Sequence, residues 1–247
     1  MRYLLLSDIH SNLEALEAVL TASARQYDAV LMLGDIVGYG ADPNAVVERV
    51  RSLKPVASIR GNHDKVAAGL DSSEDFNSLA RAAALWTQRT LTPSSLEYVR
   101  GLPAGPAIVD DHIEICHGSP LDEDFYIVAD VDAAQALGVS KRQVCFFGHT
   151  HVAMCGRMDG RRRLEIETPD GQPEMEISLD DGVKYLINPG SVGQPRDGDA
   201  RAAYAIADLK RGIVRLQRVA YPIDVAQKKI LAAGLPPPLA YRLGMGR

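Results

Sequence analysis

Short apolar runs alternate with stretches of helical periodicity along the first half of the chain. RYLLL (2–6) is almost wholly apolar, the pattern of a strand buried on both faces. NLEALEAVLTASARQ (12–26) places Leu13, Leu16, Val19 and Leu20 at helical spacing, with Ser11 or Asn12 as the candidate cap. AVLML (29–33) reads as a second strand. DPNAVVERVRSL (42–53) reads as a helix with Asp42 as N-cap and Pro43 in its first turn, and VASI (56–59) as a third strand. Strand–helix–strand–helix–strand order predicts parallel strands with helices packed on the sheet faces.

Beyond residue 64 the pattern is mixed. Residues 64–100 read as helical, with Trp86 in the core; 107–116 as a hairpin turning at Asp110-Asp111; 130–138 as a short helix; VCFF (144–147) as a buried strand. VAMCGRM, RRLEIE, KYLIN (184–188), AAYAIADL and IVRLQRVAY are further strand candidates. DVAQKKILAAG (224–234) is a last helix, and LPPPLAYRLGMGR is expected to be an irregular extension. The whole chain, 1–247, is expected to form one domain.

The chain has 46% hydrophobic residues, enough for a substantial core, and a formal charge of −5. That balance argues against a binder of polymeric nucleic acid, which needs a basic face, but leaves room for a nucleotide substrate in a local cationic pocket. No apolar run approaches a membrane span, and residues 3–6 are too short for a signal-peptide core, so a cytoplasmic location is expected. Cys116, Cys145 and Cys155 form no CxxC pair and are expected to be reduced, in or near strands. The sequence leaves the oligomeric state open.

Five of the six histidines lie in four short polar stretches: SDIHSN (7–12), RGNHD (60–64), CHGSP (116–120) and GHTH (148–151). A fifth stretch, LGDIVGYG (33–40), adds Asp35. Each follows a strand candidate, and in open α/β sheets the loops beyond the carboxyl ends of the strands build the ligand crevice. Singly, each residue has an ordinary explanation: Asp35 could end a strand, Asn62 and Asp64 could serve turns or caps. Together, Asp8, His10, Asp35, Asn62, His117, His149 and His151 offer carboxylates, imidazoles and an amide without thiolates, a donor set for Mn, Fe, Co, Ni or Zn. Seven donors exceed one tetrahedral site and point to two divalent ions sharing a carboxylate, an arrangement suited to phosphoryl transfer. GDIVGYG has the wrong glycine spacing for a dinucleotide-binding turn, and no P-loop is present. His112 matches no motif. The arginines at 161–163 fit a solvated turn better than a phosphate patch.

DIH, GD, GNHD, HG and GHTH, in that order and context, resemble the calcineurin-like metallophosphoesterase superfamily. GDIVGYGADP and NPGSVGQPRDGD (188–199) are similar to its small prokaryotic branch of diadenosine-tetraphosphatase-like and phosphodiesterase-like proteins. The likeness covers roughly 1–222. It implies an α/β fold, a two-sheet β-sandwich flanked by helices. It also implies two metals, one held by Asp8, His10, Asp35 and His151, the other by Asp35, Asn62, His117 and His149. His63 would protonate the leaving oxygen or steady the phosphoryl oxygens, with Asp64 orienting its imidazole. The implied activity is hydrolysis of a phosphodiester or dinucleoside polyphosphate by metal-activated water. A phosphoprotein or phosphomonoester phosphatase, and a non-catalytic metal-binding interaction module, are the alternatives. Arg196, Asn12, Tyr39 and Arg60 flank the motif loops and are candidate substrate contacts. The stretch 159–183 departs from the family pattern as an insertion that could extend a hairpin, cover the site or meet a second subunit.

Overall fold

The computed structural model describes all residues, 1–247. Its strands are β1 (Arg2–Leu6), β2 (Ala29–Met32), β3 (Ala57–Ser58), β4 (Ala107–Ile108), β5 (Ile113–Ile115), β6 (Val144–Phe146), β7 (Met154–Met158), β8 (Leu164–Glu167), β9 (Glu174–Ser178), β10 (Lys184–Asn188), β11 (Ala202–Asp208) and β12 (Ile213–Val219). Its helices are α1 (Leu13–Ala22), α2 (Pro43–Leu53), α3 (Asn62–Ala67), α4 (Ser78–Thr90), α5 (Pro93–Arg100), α6 (Asp130–Val139), α7 (Ile223–Ala232) and α8 (Pro237–Tyr241), with a closing 3₁₀ turn at Arg242–Met245.

The strands form two mixed six-stranded sheets, ordered β3-β2-β1-β11-β12-β9 and β4-β5-β6-β10-β7-β8. Side-chain alternation explains how they stack. Leu4 and Leu6 of β1 face a helix-side core with Leu16, Val19 and Val47, whereas Tyr3 and Leu5 face the other sheet. On the second sheet, Val144, Phe146, Tyr185 and Ile187 point inward, while Cys145 and Leu186 pack against α6. A strand covered on both sides must be apolar at successive positions, which is why RYLLL, AVLM and VCF read as continuous apolar runs. The result is a helix–sheet–sheet–helix sandwich.

β1, β2 and β3 run parallel, as do β5, β6 and β10. The loops leaving these strands carry the polar motifs, so the parallel parts of both sheets deliver them to one edge of the sandwich.

The structure sharpens some expectations and corrects others. Asp42 is the N-cap residue of α2 as expected, but its side chain makes no capping hydrogen bond; the carboxylate takes Lys229 Nζ at 2.7 Å instead. Asn12, not Ser11, caps α1 by accepting from Ala15 N–H. Trp86 is half-buried at the margin of the helix-side core. Glu14 of α1 is bridged by the same Lys229 at 2.5 Å. The C-terminal extension is not irregular: α8 and the 3₁₀ turn seat Leu239, Ala240 and Leu243 in the helix-side core. Residues 159–183 divide between the sheets, with β8 pairing β7 in one and β9 pairing β12 at the edge of the other. The cysteines are free and buried.

Candidate metal centre

The loops after β1 and β2 are zipped together by main-chain bonds, Asp8 N–H to Gly34 carbonyl, His10 to Asp35 and Ser11 to Ile36, at 3.0–3.1 Å. To hold their side chains at one point, Asp8, His10, Asp35, His149 and His151 all adopt left-handed backbone conformations, φ 48–67°. Non-glycine residues reach that region only at a cost, and such strain gathers where surrounding structure fixes a functional geometry. Two glycines are required by close approach. A Cβ on Gly61 would collide with Asp35 Oδ1, and one on Gly148 with Ser7 Oγ and Asp8 Oδ2.

Asp8, His10, Asp35 and His151 form one buried group of potential ligand atoms, and Asp35, His117 and His149 a second, each with its donor atoms within 4.8 Å of one another. Asp35 belongs to both. Its Oδ2 lies 3.5 Å from His10 Nε2 and 3.4 Å from His117 Nε2, while its Oδ1 accepts from His63 N–H at 2.9 Å. Asn62 Oδ1 sits 3.3 Å from His117 Nε2, placing the amide beside the second group. Asp8 accepts from the Ser7 hydroxyl at 2.6 Å and from His149 N–H at 3.2 Å, and lies 3.3 Å from His151 Nε2.

The imidazole tautomers show what this cluster is built for. His10 Nδ1 donates to Val37 carbonyl, His117 Nδ1 to Leu33 carbonyl and His151 Nδ1 to Gln194 carbonyl, at 3.1, 2.8 and 2.6 Å. In His10 and His151 those bonds place the proton on Nδ1 and leave Nε2 with a lone pair, as outer carbonyls do for metal-ligating histidines, whereas His117 Nε2 faces Asp35 Oδ2 and Asn62 Oδ1 and holds a second proton that a bound cation would displace. Yet His10 Nε2 and His151 Nε2 face each other at 3.1 Å. Two lone pairs at that separation repel unless a cation lies between them or a proton is taken up. His149 is turned the other way: its Nε2 donates to Asp124 carbonyl at 2.9 Å, leaving Nδ1 as the atom it can offer.

The electrostatics agree. Burial above all, with neighbouring positive charge, holds His151 below its usual range and His149 down to about 3, and burial takes His10 well below. These rings are neutral at pH 7 and available as ligands. His117 is pushed up to about 10: burial opposes this, and the Asp35 carboxylate outweighs it. Asp8 and Asp35 stay ionised because adjacent imidazoles outweigh the cost of burial. Buried carboxylates and imidazole lone pairs, with no thiolate, fit a divalent cation of the Mn-to-Zn series.

His63 lies beside this cluster, its ring 5.0 Å from His10, 4.3 Å from Tyr39 and 4.7 Å from Phe76 between centroids. Asp64 does not orient it, contrary to expectation. The Asp64 carboxylate instead accepts from the N–H groups of Gly61, Val37 and Ile36 at 3.1–3.3 Å, clamping the GDIV loop to the start of α3. Burial first, then the Asp35 charge, raises Asp64 to about 7. His63 Nδ1 is buried without a partner beside Gly38, which leaves Nε2 for the cleft.

Two of the four candidate substrate contacts are otherwise engaged. Asn12 spends its oxygen on the α1 cap and its amide on Gly193 carbonyl at 2.8 Å and Tyr221 hydroxyl at 3.3 Å. Arg60 is forked onto Glu123 at 2.9 and 3.1 Å. Tyr39 and Arg196 do meet at the site, with Arg196 Nη2 3.4 Å from the Tyr39 hydroxyl. Arg196 is not tied to its acidic neighbours, since Asp197 pairs with Arg218 and Asp199 with Arg201. His112 is exposed, away from the cluster.

Beside the cluster opens a cleft of about 250 Å³ lined by His63, His149, Phe76 and Tyr126. Tyr126 stacks on His149 at 3.6 Å. Neither aromatic was legible as a site residue, because neither lies in a motif. Lys65 ties the loop carrying Tyr126 to α3 through Asp124 and Glu123.

A two-sheet α/β sandwich whose parallel strands bring buried Asp and His groups to one edge defines a metallophosphoesterase architecture. The chain belongs to the calcineurin-like phosphoesterase superfamily, whose domain model matches residues 1–212. It is 39% identical to an uncharacterized protein of Methanocaldococcus jannaschii, over 98% of this chain and 97% of that one. A metallophosphoesterase from Sphaerobacter thermophilus, of known crystal structure, is 41% identical and superposes with a TM-score of 0.89, covering 100% of this chain and 99% of its own. A hypothetical protein from Pyrococcus horikoshii shares the fold at 19% identity, with a TM-score of 0.79 over 100% of this chain and 98% of its own. No helix is long and apolar enough to cross a membrane.

Proposed function

We propose that the protein is a phosphohydrolase dependent on two divalent metal ions, acting on a phosphodiester or a dinucleoside polyphosphate. The observation that carries this reading is the pair of buried donor groups sharing Asp35, with imidazole lone pairs turned toward each other. Asp8, His10, Asp35 and His151 would hold one ion, and Asp35, Asn62, His117 and His149 the other. Bound ions of this kind neutralise phosphoryl charge and lower the pKa of water.

The chain's own groups then have distinct tasks. The carbonyls of Val37, Leu33, Gln194 and Asp124 fix the tautomers of the four histidine ligands. His63, chiefly through burial, is held down to about 4 and is a neutral imidazole at pH 7 in the free protein. Its Nε2–H can donate to a phosphoryl oxygen. An arriving anion favours the imidazolium, which can then protonate a leaving oxygen. The aromatic faces of Phe76 and Tyr126 shape a narrow cleft suited to the organic part of a small substrate, and the similarity to the Sphaerobacter metallophosphoesterase supports the reaction class.

The test is hydrolysis by metal-stripped protein refilled with Mn²⁺, comparing a phosphomonoester, bis-p-nitrophenyl phosphate and diadenosine tetraphosphate, with bound metal measured in parallel. Metal-dependent turnover is expected, with the second or third substrate preferred. Two bound ions and no turnover of any of the three would refute the enzyme reading and favour an interaction module.

A further inference from the structure

The C-terminal segment brings a second cation to the site. Leu239, Ala240 and Leu243 anchor it in the core, Gln227 Nε2 donates to Ala240 carbonyl at 3.0 Å, and Gly198 N–H donates to Gly246 carbonyl at 3.0 Å. These contacts set the 3₁₀ turn against the loop that carries Arg196. The guanidinium of Arg242 then lies 5.6 Å from the centroid of the Tyr39 ring, and that of Arg196 lies 5.7 Å from the same centroid. Residue 242 falls outside the segment matched by the family model.

No acidic side chain pairs with either guanidinium. Arg196 bonds to the Tyr39 hydroxyl and to Gln194 Oε1 at 3.1 Å, and its Nε is buried with no partner. Arg242 donates from Nε to the main-chain oxygen of Arg247 at 2.7 Å, which leaves its two Nη groups without an acceptor side chain. Both are partly buried, and they repel each other: Arg242 is held below its usual range first by burial and then by the charge of Arg196. Partly buried guanidiniums that lack an acidic side-chain partner are costly, and a bound anion relieves that cost. The Tyr39 ring packs on His10 at 4.7 Å and His63 at 4.3 Å, so the arginine pair stands one ring away from the candidate metal centre. On the other side, the cleft is lined by Asp71, Asp75 and Asp124. An anionic group extending from the centre is repelled by those carboxylates, of which Asp71 and Asp124 share Lys65, and is attracted toward the arginines.

We propose that Arg196 and Arg242, set about Tyr39, form a second anion subsite that takes a phosphoryl group adjoining the one cleaved. This inference rests on the phosphohydrolase reading and narrows it to phosphoanhydrides such as nucleoside polyphosphates. Guanidinium forks match phosphate oxygens through paired, charge-assisted bonds.

The experiment compares wild type with Arg242→Gln and Arg196→Gln, each checked for an unchanged melting temperature, and with Arg242→Lys. With Mn²⁺-loaded protein, the ratio of kcat/KM for diadenosine tetraphosphate to that for bis-p-nitrophenyl phosphate falls at least about tenfold in both glutamine variants, as loss of a charged hydrogen bond predicts. Arg242→Lys, which keeps the charge but not the fork, recovers part of it. Equilibrium dialysis of tripolyphosphate against metal-stripped protein gives a reading independent of turnover, with binding about tenfold weaker in each glutamine variant. A kcat/KM ratio held within about twofold in an active enzyme overturns the subsite. So does tripolyphosphate binding unchanged by both substitutions, whether or not the wild type hydrolyses anything. Failure of the phosphohydrolase reading itself shows separately, as absence of wild-type turnover on every substrate.

Discussion

Asp35→Asn is the most informative single substitution. The change is nearly isosteric, and the amide oxygen can still accept from His63 N–H, so the loop after β2 keeps its anchor. What disappears is one negative charge facing two imidazoles, at 3.5 and 3.4 Å. At 3.4 Å and an effective dielectric constant of about 20, a unit charge pair is worth about 5 kcal/mol. The rise of His117 to about 10 against the cost of burial is an effect of the same order. A divalent ion in contact with that carboxylate loses at least as much Coulomb energy, partly offset by the desolvation no longer required. We expect a net loss of about 3–5 kcal/mol, or roughly two to four orders of magnitude in affinity for at least one ion. The assay has two parts: bound metal after dialysis, and melting temperature with and without Mn²⁺. Saturating metal stabilises the wild type by mass action, about 2.7 kcal/mol at a hundredfold excess over Kd. In Asp35→Asn that stabilisation should shrink or vanish while the metal-free protein still unfolds cooperatively. Two tightly held ions per chain and undiminished activity in this variant would refute the shared-ligand reasoning.

His63→Ala should lower turnover by about 10²–10⁴-fold with bound metal unchanged; full activity would remove it from the chemistry. Arg60→Met should change kcat/KM by no more than about threefold and stability by about 1 kcal/mol, because its guanidinium serves Glu123; a large rise in KM would return it to the substrate site. Asn12→Ala removes the α1 cap and the tie to Gly193, for a loss of about 1–2 kcal/mol and a few degrees of melting temperature; an unchanged melting curve would contradict that role. Leu239→Ala should cost about 2–5 kcal/mol, and a loss under about 1 kcal/mol would show that the C-terminal segment is not part of the core.

The sequence by itself determined what depends on local pattern and on donor chemistry. Strands covered on both faces must be apolar throughout, so β1, β2 and β6 were legible as runs; α1 was legible from Leu16, Val19 and Leu20 on one face. A divalent ion needs carboxylates and imidazoles, and the chain keeps them in short motifs after strands, so Asp8, His10, Asp35, His117, His149 and His151 could be named before their meeting was seen. Tertiary structure decided what each remaining polar group does, because a hydrogen bond is chosen among partners far apart in sequence. Asp64 follows His63 directly, yet it clamps Ile36 and Val37 rather than the imidazole. Arg60 and Asn12 flank motifs, but Glu123 and Gly193 claim them. The C-terminal segment carries three prolines and no clear periodicity, so only the apolar surface offered by the rest of the chain folds it. That docking places Arg242 beside Arg196 over one tyrosine ring, a juxtaposition set by the packing of Leu239 and Leu243 and by nothing in the local sequence of either arginine.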